Sequence, residues 1–289
     1  MDSYVRPTLP YYGPYEGTLP SYKTIVSLVA RGEAKVLDQF EKPGRYTVQI
    51  GEEFIVKHGK EIDLVEGENM LLVKKYTNIP IPELYAMYEH EPSGNKVLIM
   101  EYVKSQPLSE LYDEASEEQK AAIGIELRRY LRELRNIPTP GYYGLPGARP
   151  YLALPWIFKQ SVGPFESDEQ FLDAYFYAQF GTLSTVPKIK SLKKLILEKS
   201  RAQGLHTPVF SHCDLQVQNI MLKPDGSLCI IDWEAGSFCP QYFEFFIYRF
   251  YELAAAGQSP TDNNNVVSCR ILVDWILEAW KAFLDINIP

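Results

Sequence analysis

The chain has 289 residues, 46% hydrophobic and 23% charged, which suits two packed lobes or one large globular domain. Its 37 acidic and 29 basic residues leave a net charge of −8, which argues against a general nucleic-acid binder, because phosphate backbones are gripped by surplus Lys and Arg. No apolar run approaches the roughly 20 residues of a bilayer span, and the four scattered cysteines (Cys213, Cys229, Cys239, Cys269) form neither a zinc-type pattern nor a disulfide framework, so a reducing, cytoplasmic setting is expected.

Residues 1–20 place Tyr4, Tyr11, Tyr12 and Tyr15 among four prolines and read as an extended arm without regular structure. A short helix is expected at about 22–31. Residues 34–40, 46–50 and 53–57 are rich in β-branched and aromatic side chains and are broken at Pro43-Gly44 and Gly51, a pattern that predicts three antiparallel strands. From Ile62 the period changes: Ile62, Val65, Leu72, Val73 and Tyr76 share one side at 100° per residue, so an amphipathic helix follows. Pro80 and Pro82 end it near Asn78. Two more strands, 83–88 and 97–102, flank the turn at 91–95.

After Val103 the pattern becomes mostly helical. Ser116 and Gln119 make a capping box for a helix with the face Ile123, Leu127, Tyr130, Leu131 and Leu134. Residues 138–155 form a Pro- and Gly-rich loop, and further helices are expected at 168–180, 187–201, 242–255 and 264–285. Residues 208–231 hold a loop, a short strand, the turn Lys223-Pro224-Asp225-Gly226 and another strand. The fold expected is α+β in two lobes: a five-stranded antiparallel sheet with one inserted helix over 1–102, then a mostly helical lobe over 103–289, joined near 101–103.

The densest polar constellation is His212-Cys213-Asp214-Leu215, then Asn219, then an apolar run ending on Asp232. Polar groups in so apolar a frame are costly to bury unless they are paired or bound to a metal. Asp214, Asn219 and Asp232 all supply oxygen, the donor magnesium prefers. The turn at 224–226 folds one strand on the next and would bring Asp232 beside Asn219. Phosphoryl transfer uses such a set: a carboxylate to orient or deprotonate the acceptor, and an Asn and a second Asp to hold magnesium on nucleotide phosphates. Taken singly, each of the three reads better as a turn cap or a partner of backbone groups; it is the three together at this spacing that point to the chemistry. Cys213 reads as a small buried filler, since no His–Asn set accompanies it.

These residues carry a family resemblance. His212-Cys213-Asp214-Leu215 with Asn219 resembles the catalytic loop of kinases, and Ile231-Asp232-Trp233-Glu234 resembles the metal-binding motif of the aminoglycoside phosphotransferase and choline kinase branch of the protein-kinase-like fold. Residues 77–82, Met100-Glu101-Tyr102, Gly163-Pro164-Phe165, and Pro240 with Tyr242 and Glu244 are similar to the fungal aminoglycoside phosphotransferase-like group. The resemblance implies a bilobal small-molecule kinase using Mg2+ and ATP or GTP. Asp214 would be the catalytic base, Asn219 and Asp232 the metal ligands, and Lys57 the grip on the nucleotide phosphates. Glu66 would be the helix partner of Lys57, with Glu68 as the runner-up and otherwise a solvated charge. Backbone groups of Glu101 and Val103 would meet the nucleotide base, and His212 would hold its loop by hydrogen bonding.

The chain also departs from the family pattern. The first hairpin, Glu41-Lys42-Pro43-Gly44-Arg45-Tyr46, is not a glycine-rich phosphate loop. Cys213 stands where this branch commonly has Gly, and Ser105 stands where a Gly often follows the hinge. The partners expected are a nucleotide and a small-molecule acceptor, with no nucleic acid and no membrane. Glu166, Asp168, Glu169 and Asp173 with Tyr175, Phe176 and Tyr177 would suit a cationic acceptor, or else form an ordinary surface helix with an acidic first turn. The competing function is a non-catalytic nucleotide- or ligand-binding protein, or the same fold turned to another reaction on a small metabolite.

Overall fold

The computed structural model describes residues 4–37, 44–111, 114–154, 157–244 and 246–247. The expected helix at 264–285, and all but the start of the one at 242–255, lie outside the described residues. In chain order the elements are β1 (Tyr11–Tyr12), α1 (Tyr22–Ala30), β2 (Lys35–Val36), β3 (Tyr46–Ile50), β4 (Phe54–Gly59), α2 (Val65–Tyr76), β5 (Leu84–His90), β6 (Asn95–Glu101), β7 (Gln106–Pro107), α3 (Leu108–Leu111), α4 (Glu117–Arg135), α5 (Asp168–Phe180), α6 (Pro187–Ala202), β8 (Pro208–Ser211), β9 (Ile220–Leu222), β10 (Leu228–Ile230) and β11 (Ser237–Pro240). The described residues form two compact units, one made of those within 5–133 and 217–234, the other of Tyr4 with those within 134–216 and 235–247.

In the first unit the sheet has six antiparallel strands, ordered β1-β5-β6-β4-β3-β2, one more than expected. The addition is Tyr11–Tyr12 of the arm, which pairs with Met87 and Ala86 and satisfies backbone groups that β5 would otherwise leave open. Sequence reading misses it because two residues carry no periodicity. Alternation in the strands sorts the side chains between two faces. Val48, Phe54, Val56, Ala86, Val97 and Ile99 pack with Ile25 of α1, while Ile55, Lys57, Met87 and Leu98 face the other way, toward α2.

Helix α2 begins where the Asp63 carboxylate accepts the N–H of Val65 at 2.9 Å. Acidic Glu66 and Glu68 in its first turn and Lys74 and Lys75 in its last complement the helix dipole. Gly67 seats it close to the sheet: a Cβ there would lie 2.7 Å from Met87 Sδ and 2.8 Å from Leu98 Cδ2. The Ser116–Gln119 capping box forms in both directions, at 2.8 and 3.2 Å. The hairpin β9–β10 pairs Ile220 with Ile230 and Leu222 with Leu228.

The second unit is built on an aromatic core of Tyr143, Tyr151, Phe158, Phe171, Tyr175 and Phe243, with Phe171 and Tyr175 edge-on to Phe243. Strands β8 and β11 pair antiparallel in it, with Phe210 opposite Phe238. Ser167 caps α5, which matches the expected 168–180. In its acidic first turn Asp168 takes a two-pronged bond from Arg201 (2.7 and 3.0 Å), and one turn on Asp173 pairs with Lys193 at the surface. Tyr175 and Phe176 are core residues, so α5 is the surface helix with an acidic first turn and does not form a cation cage. Among the described residues, no helix is long and apolar enough to cross a membrane.

Candidate active site

Lys57 lies on β4 between Thr47 of β3 and Leu98 of β6, so both neighbouring strands fix its position. Its Nζ donates to Glu66 on α2 at 2.9 Å and to Asp232 at 2.7 Å. Of the two carboxylates on the first turn of α2, Glu66 is therefore the one that meets Lys57. Glu68 is not a solvated charge: it is buried and pairs with Arg6 of the arm at 2.8 Å.

The β9–β10 hairpin positions the remaining polar groups. Its closing bond, from the N–H of Ile231 to the carbonyl of Asn219 at 3.0 Å, sets Asn219 and Asp232 side by side, as the turn in the sequence implies. Asp232 adopts a left-handed backbone (φ 64°), a conformation costing a non-glycine residue about 1–2 kcal/mol. The next turn is held firmly. Trp233 is fully buried, its indole donates to the Ile230 carbonyl at 3.0 Å, and its own carbonyl accepts from Asn69 of α2 at 2.8 Å. Helix α2 thus anchors both the Lys57 partner and the loop that carries Asp232.

A cavity of about 320 Å³ opens here. Lys57, Glu66, Asn219 and Asp232 line one part of it, and Met100, Glu101 and Val103 line another. The Glu101 N–H already donates to the Glu83 carbonyl (2.9 Å) and the Tyr102 N–H to the Glu53 carbonyl (2.8 Å), so the backbone of this segment is held from both sides. Glu66, Asp232 and Glu234 each bring a carboxylate oxygen within 4.8 Å of the others, a set of hard oxygen donors that fits a magnesium ion. In the sequence Glu234 stands out only as part of a motif and Arg45 only as part of a hairpin, yet the two form an ion pair at 2.6 Å and Arg45 also lines the cavity.

The electrostatics follow from burial and proximity. Burial alone would lower the Lys57 pKa, but Asp232 and then Glu66 outweigh it and hold the ammonium above the ordinary lysine value. Burial pushes Glu66 up to about 7 against the pull of Lys57, with Asp232 and Glu234 adding repulsion. The site thus sets three carboxylates, Glu66, Asp232 and Glu234, against two cations, Lys57 and Arg45, an arrangement that favours the arrival of a further cation.

Asp214 belongs to the second unit, on the loop after β8. Fully buried His212 accepts the Asp214 N–H on Nδ1 at 3.2 Å, and Gln216 donates to the Asp214 carboxylate at 2.6 Å. Glu244 fastens the loop from below, taking the N–H groups of His212 at 2.7 Å and Cys213 at 3.0 Å. Burial raises Glu244 to about 7 despite these two bonds. Its only trace in the sequence was its spacing from Pro240 and Tyr242. Cys213 is fully buried at φ 60°, a left-handed conformation that glycine adopts without strain.

A model of the phosphotransferase enzyme family matches residues 45–260. Among solved structures, the apo form of a thermostable mutant of aminoglycoside phosphotransferase APH(4)-Ia aligns over 78% of this chain and 76% of its own, with a TM-score of 0.50 and 13% identity. A ternary complex of a thermostable APH(4)-Ia mutant with AMP-PNP and hygromycin B aligns over 92% and 94%, with a TM-score of 0.50 and 11% identity. ADP-bound aminoglycoside phosphotransferase APH(2'')-Ib aligns over 89% and 81%, with a TM-score of 0.50 and 16% identity. At such identities the likeness is one of fold. None of the curated proteins matches the sequence. With the family model covering well over half its length, and with this α+β kinase-like fold, the chain belongs to the phosphotransferase enzyme family.

Proposed function

We propose that the protein is a small-molecule kinase that moves the γ-phosphate of ATP or GTP to a hydroxyl, or an amine, of a small metabolite or antibiotic-like acceptor. The observation that carries this reading is Lys57 bridging Glu66 and Asp232 in a cavity that also reaches Glu101 and Val103. In this reading Lys57 holds the nucleotide phosphates, Glu66 aims Lys57, and Asn219 and Asp232 hold the metal. The Glu101 carbonyl and the Val103 N–H are the backbone groups offered to the base. Magnesium, when bound, neutralises the charge developing on the transferring phosphoryl group. Asp214, aimed by Gln216 and by the His212 loop, accepts the proton of the acceptor.

A nucleotide and a compact acceptor are bound by relatives of this fold, in the AMP-PNP and hygromycin B complex of APH(4)-Ia and the ADP complex of APH(2'')-Ib. A small acceptor is also favoured by chain length, because only residues 233–236 separate Asp232 from β11, too few for the activation segment on which protein kinases dock peptides.

The test is nucleotide-dependent phosphate transfer to a panel of small alcohols and amines, run with the wild type and with Asp214→Asn. Loss of a positioned base costs about 10²–10⁴ in rate, so the variant should melt at the wild-type temperature and be nearly inactive. Retention of most of the turnover would remove Asp214 from its role.

A further inference from the structure

A kinase without a glycine-rich loop needs another source of positive charge over the phosphates. The main-chain N–H groups that such a loop aims at the nucleotide are not provided for by the sequence of this hairpin, which has a single glycine between Glu41 and Tyr46. Arg45, the residue just before β3, stands two positions from Thr47 and therefore on the same face of the sheet. Thr47 is paired with Lys57 across the strands, and all three residues line the same cavity. The Arg45 side chain is 23% exposed and its guanidinium is held by Glu234, two residues after Asp232, at 2.6 Å.

On the proposed nucleotide-binding reading, we infer that Arg45 is a second phosphate-binding cation, whose guanidinium grips the polyphosphate of the donor nucleotide in place of a glycine-rich loop, with Glu234 as the residue that positions it. The planar fork of an arginine fits carboxylate and phosphate alike, so the bond to Glu234 keeps the side chain ordered in the geometry a phosphate would use. Lys57, whose ammonium is shared with Glu66 and Asp232, supplies the first cation as a point charge, and Arg45 adds a planar fork beside it. The two cations reach the cavity from adjacent strands. A polyphosphate bound there would meet one point charge and one two-pronged donor.

The experiment is calorimetric titration of wild type, Arg45→Gln and Arg45→Lys with ATP, ADP and adenosine, each with magnesium. Charge-assisted bonds of this kind correspond to about a tenfold or greater change in affinity. Arg45→Gln should therefore weaken ATP and ADP at least about tenfold and leave adenosine unchanged, with Arg45→Lys intermediate. In a parallel titration without magnesium, where the place of Glu234 beside the metal does not count, Glu234→Ala should weaken ATP as well, and the double variant Arg45→Gln/Glu234→Ala should lose no more than Arg45→Gln alone. Unchanged ATP affinity in Arg45→Gln, or an equal loss for adenosine, overturns the assignment while leaving the kinase reading intact. A wild type that binds neither this series nor GTP, GDP and guanosine overturns both, and one that binds only the guanine series is read by the same pattern.

Discussion

Lys57→Met offers the sharpest view of how the cavity's charges are balanced. Methionine keeps the stem of the side chain and removes the ammonium, leaving Glu66, whose side chain is 3% exposed, facing Asp232 and Glu234. Removing one partner of a buried ion pair costs about 3–5 kcal/mol. The Asp232 side chain is 30% exposed, so water screens its share, and a loss of about 3 kcal/mol at pH 8 is the expected result. The loss should not be constant with pH. Burial already holds Glu66 near 7 beside the ammonium, and without it the carboxyl pKa climbs further above its ordinary 4.5. A carboxyl raised in the folded state holds its proton there while the unfolded chain has released it, so stability falls as pH rises from about 4.5 through the folded pKa. At pH 5 Glu66 is neutral in both proteins, so the deficit should shrink by about 1 kcal/mol, the linkage that the variant alone adds between pH 7 and 8. Urea unfolding of wild type, Lys57→Met and Lys57→Met/Glu66→Gln at pH 5, 6, 7 and 8 measures this directly. The double variant should recover the pH-dependent part of the pH 8 loss. A deficit equal at pH 5 and pH 8, or a double variant that simply adds two losses, would refute the reasoning.

Asp232→Ala should abolish magnesium-dependent nucleotide binding, read by calorimetry with and without the metal; unchanged affinity in the presence of magnesium would remove Asp232 from the metal site. Gly67→Ala should lower stability by about 1 kcal/mol or more, despite alanine's better helix propensity, because the new methyl meets buried Met87 and Leu98. The same change should raise the KM for nucleotide by displacing Glu66, and a melting temperature at or above wild type would contradict this account of the helix seat.

Much of this architecture is written locally. The period change at Ile62, the capping box at Ser116 and the Pro-terminated end of α2 are each short-range signals, and each element formed within a few residues of its expected place. The hairpin turn at 224–226 was enough to bring Asn219 and Asp232 together. What escaped the sequence depends on distant partners. Strands β8 and β11 are four residues each and pair across a gap of more than twenty residues, too short and too far apart for periodicity to reveal. Arg45 and Glu234, separated by most of the chain, meet only because the sheet face and the loop after Asp232 converge on one cavity. Glu68 has the composition of a surface charge and is buried because Arg6, from the arm, reaches it.

The place of β4 inside the sheet has a consequence for accuracy. Lys57 is the only residue of its strand whose chemistry the site needs, and strand side chains alternate faces. A slip of one residue would turn Lys57 toward α1 and present Val56 or His58 to the carboxylates instead. β4 is bonded along its length to β3 on one side and to β6 on the other. Any slip must therefore break two ladders at once, while the two-residue strands β1 and β2 at the rims are left to absorb fraying. The sheet behaves as a vernier: its loose ends are where error is harmless, and its tightest register is reserved for the one ammonium that has to point inward.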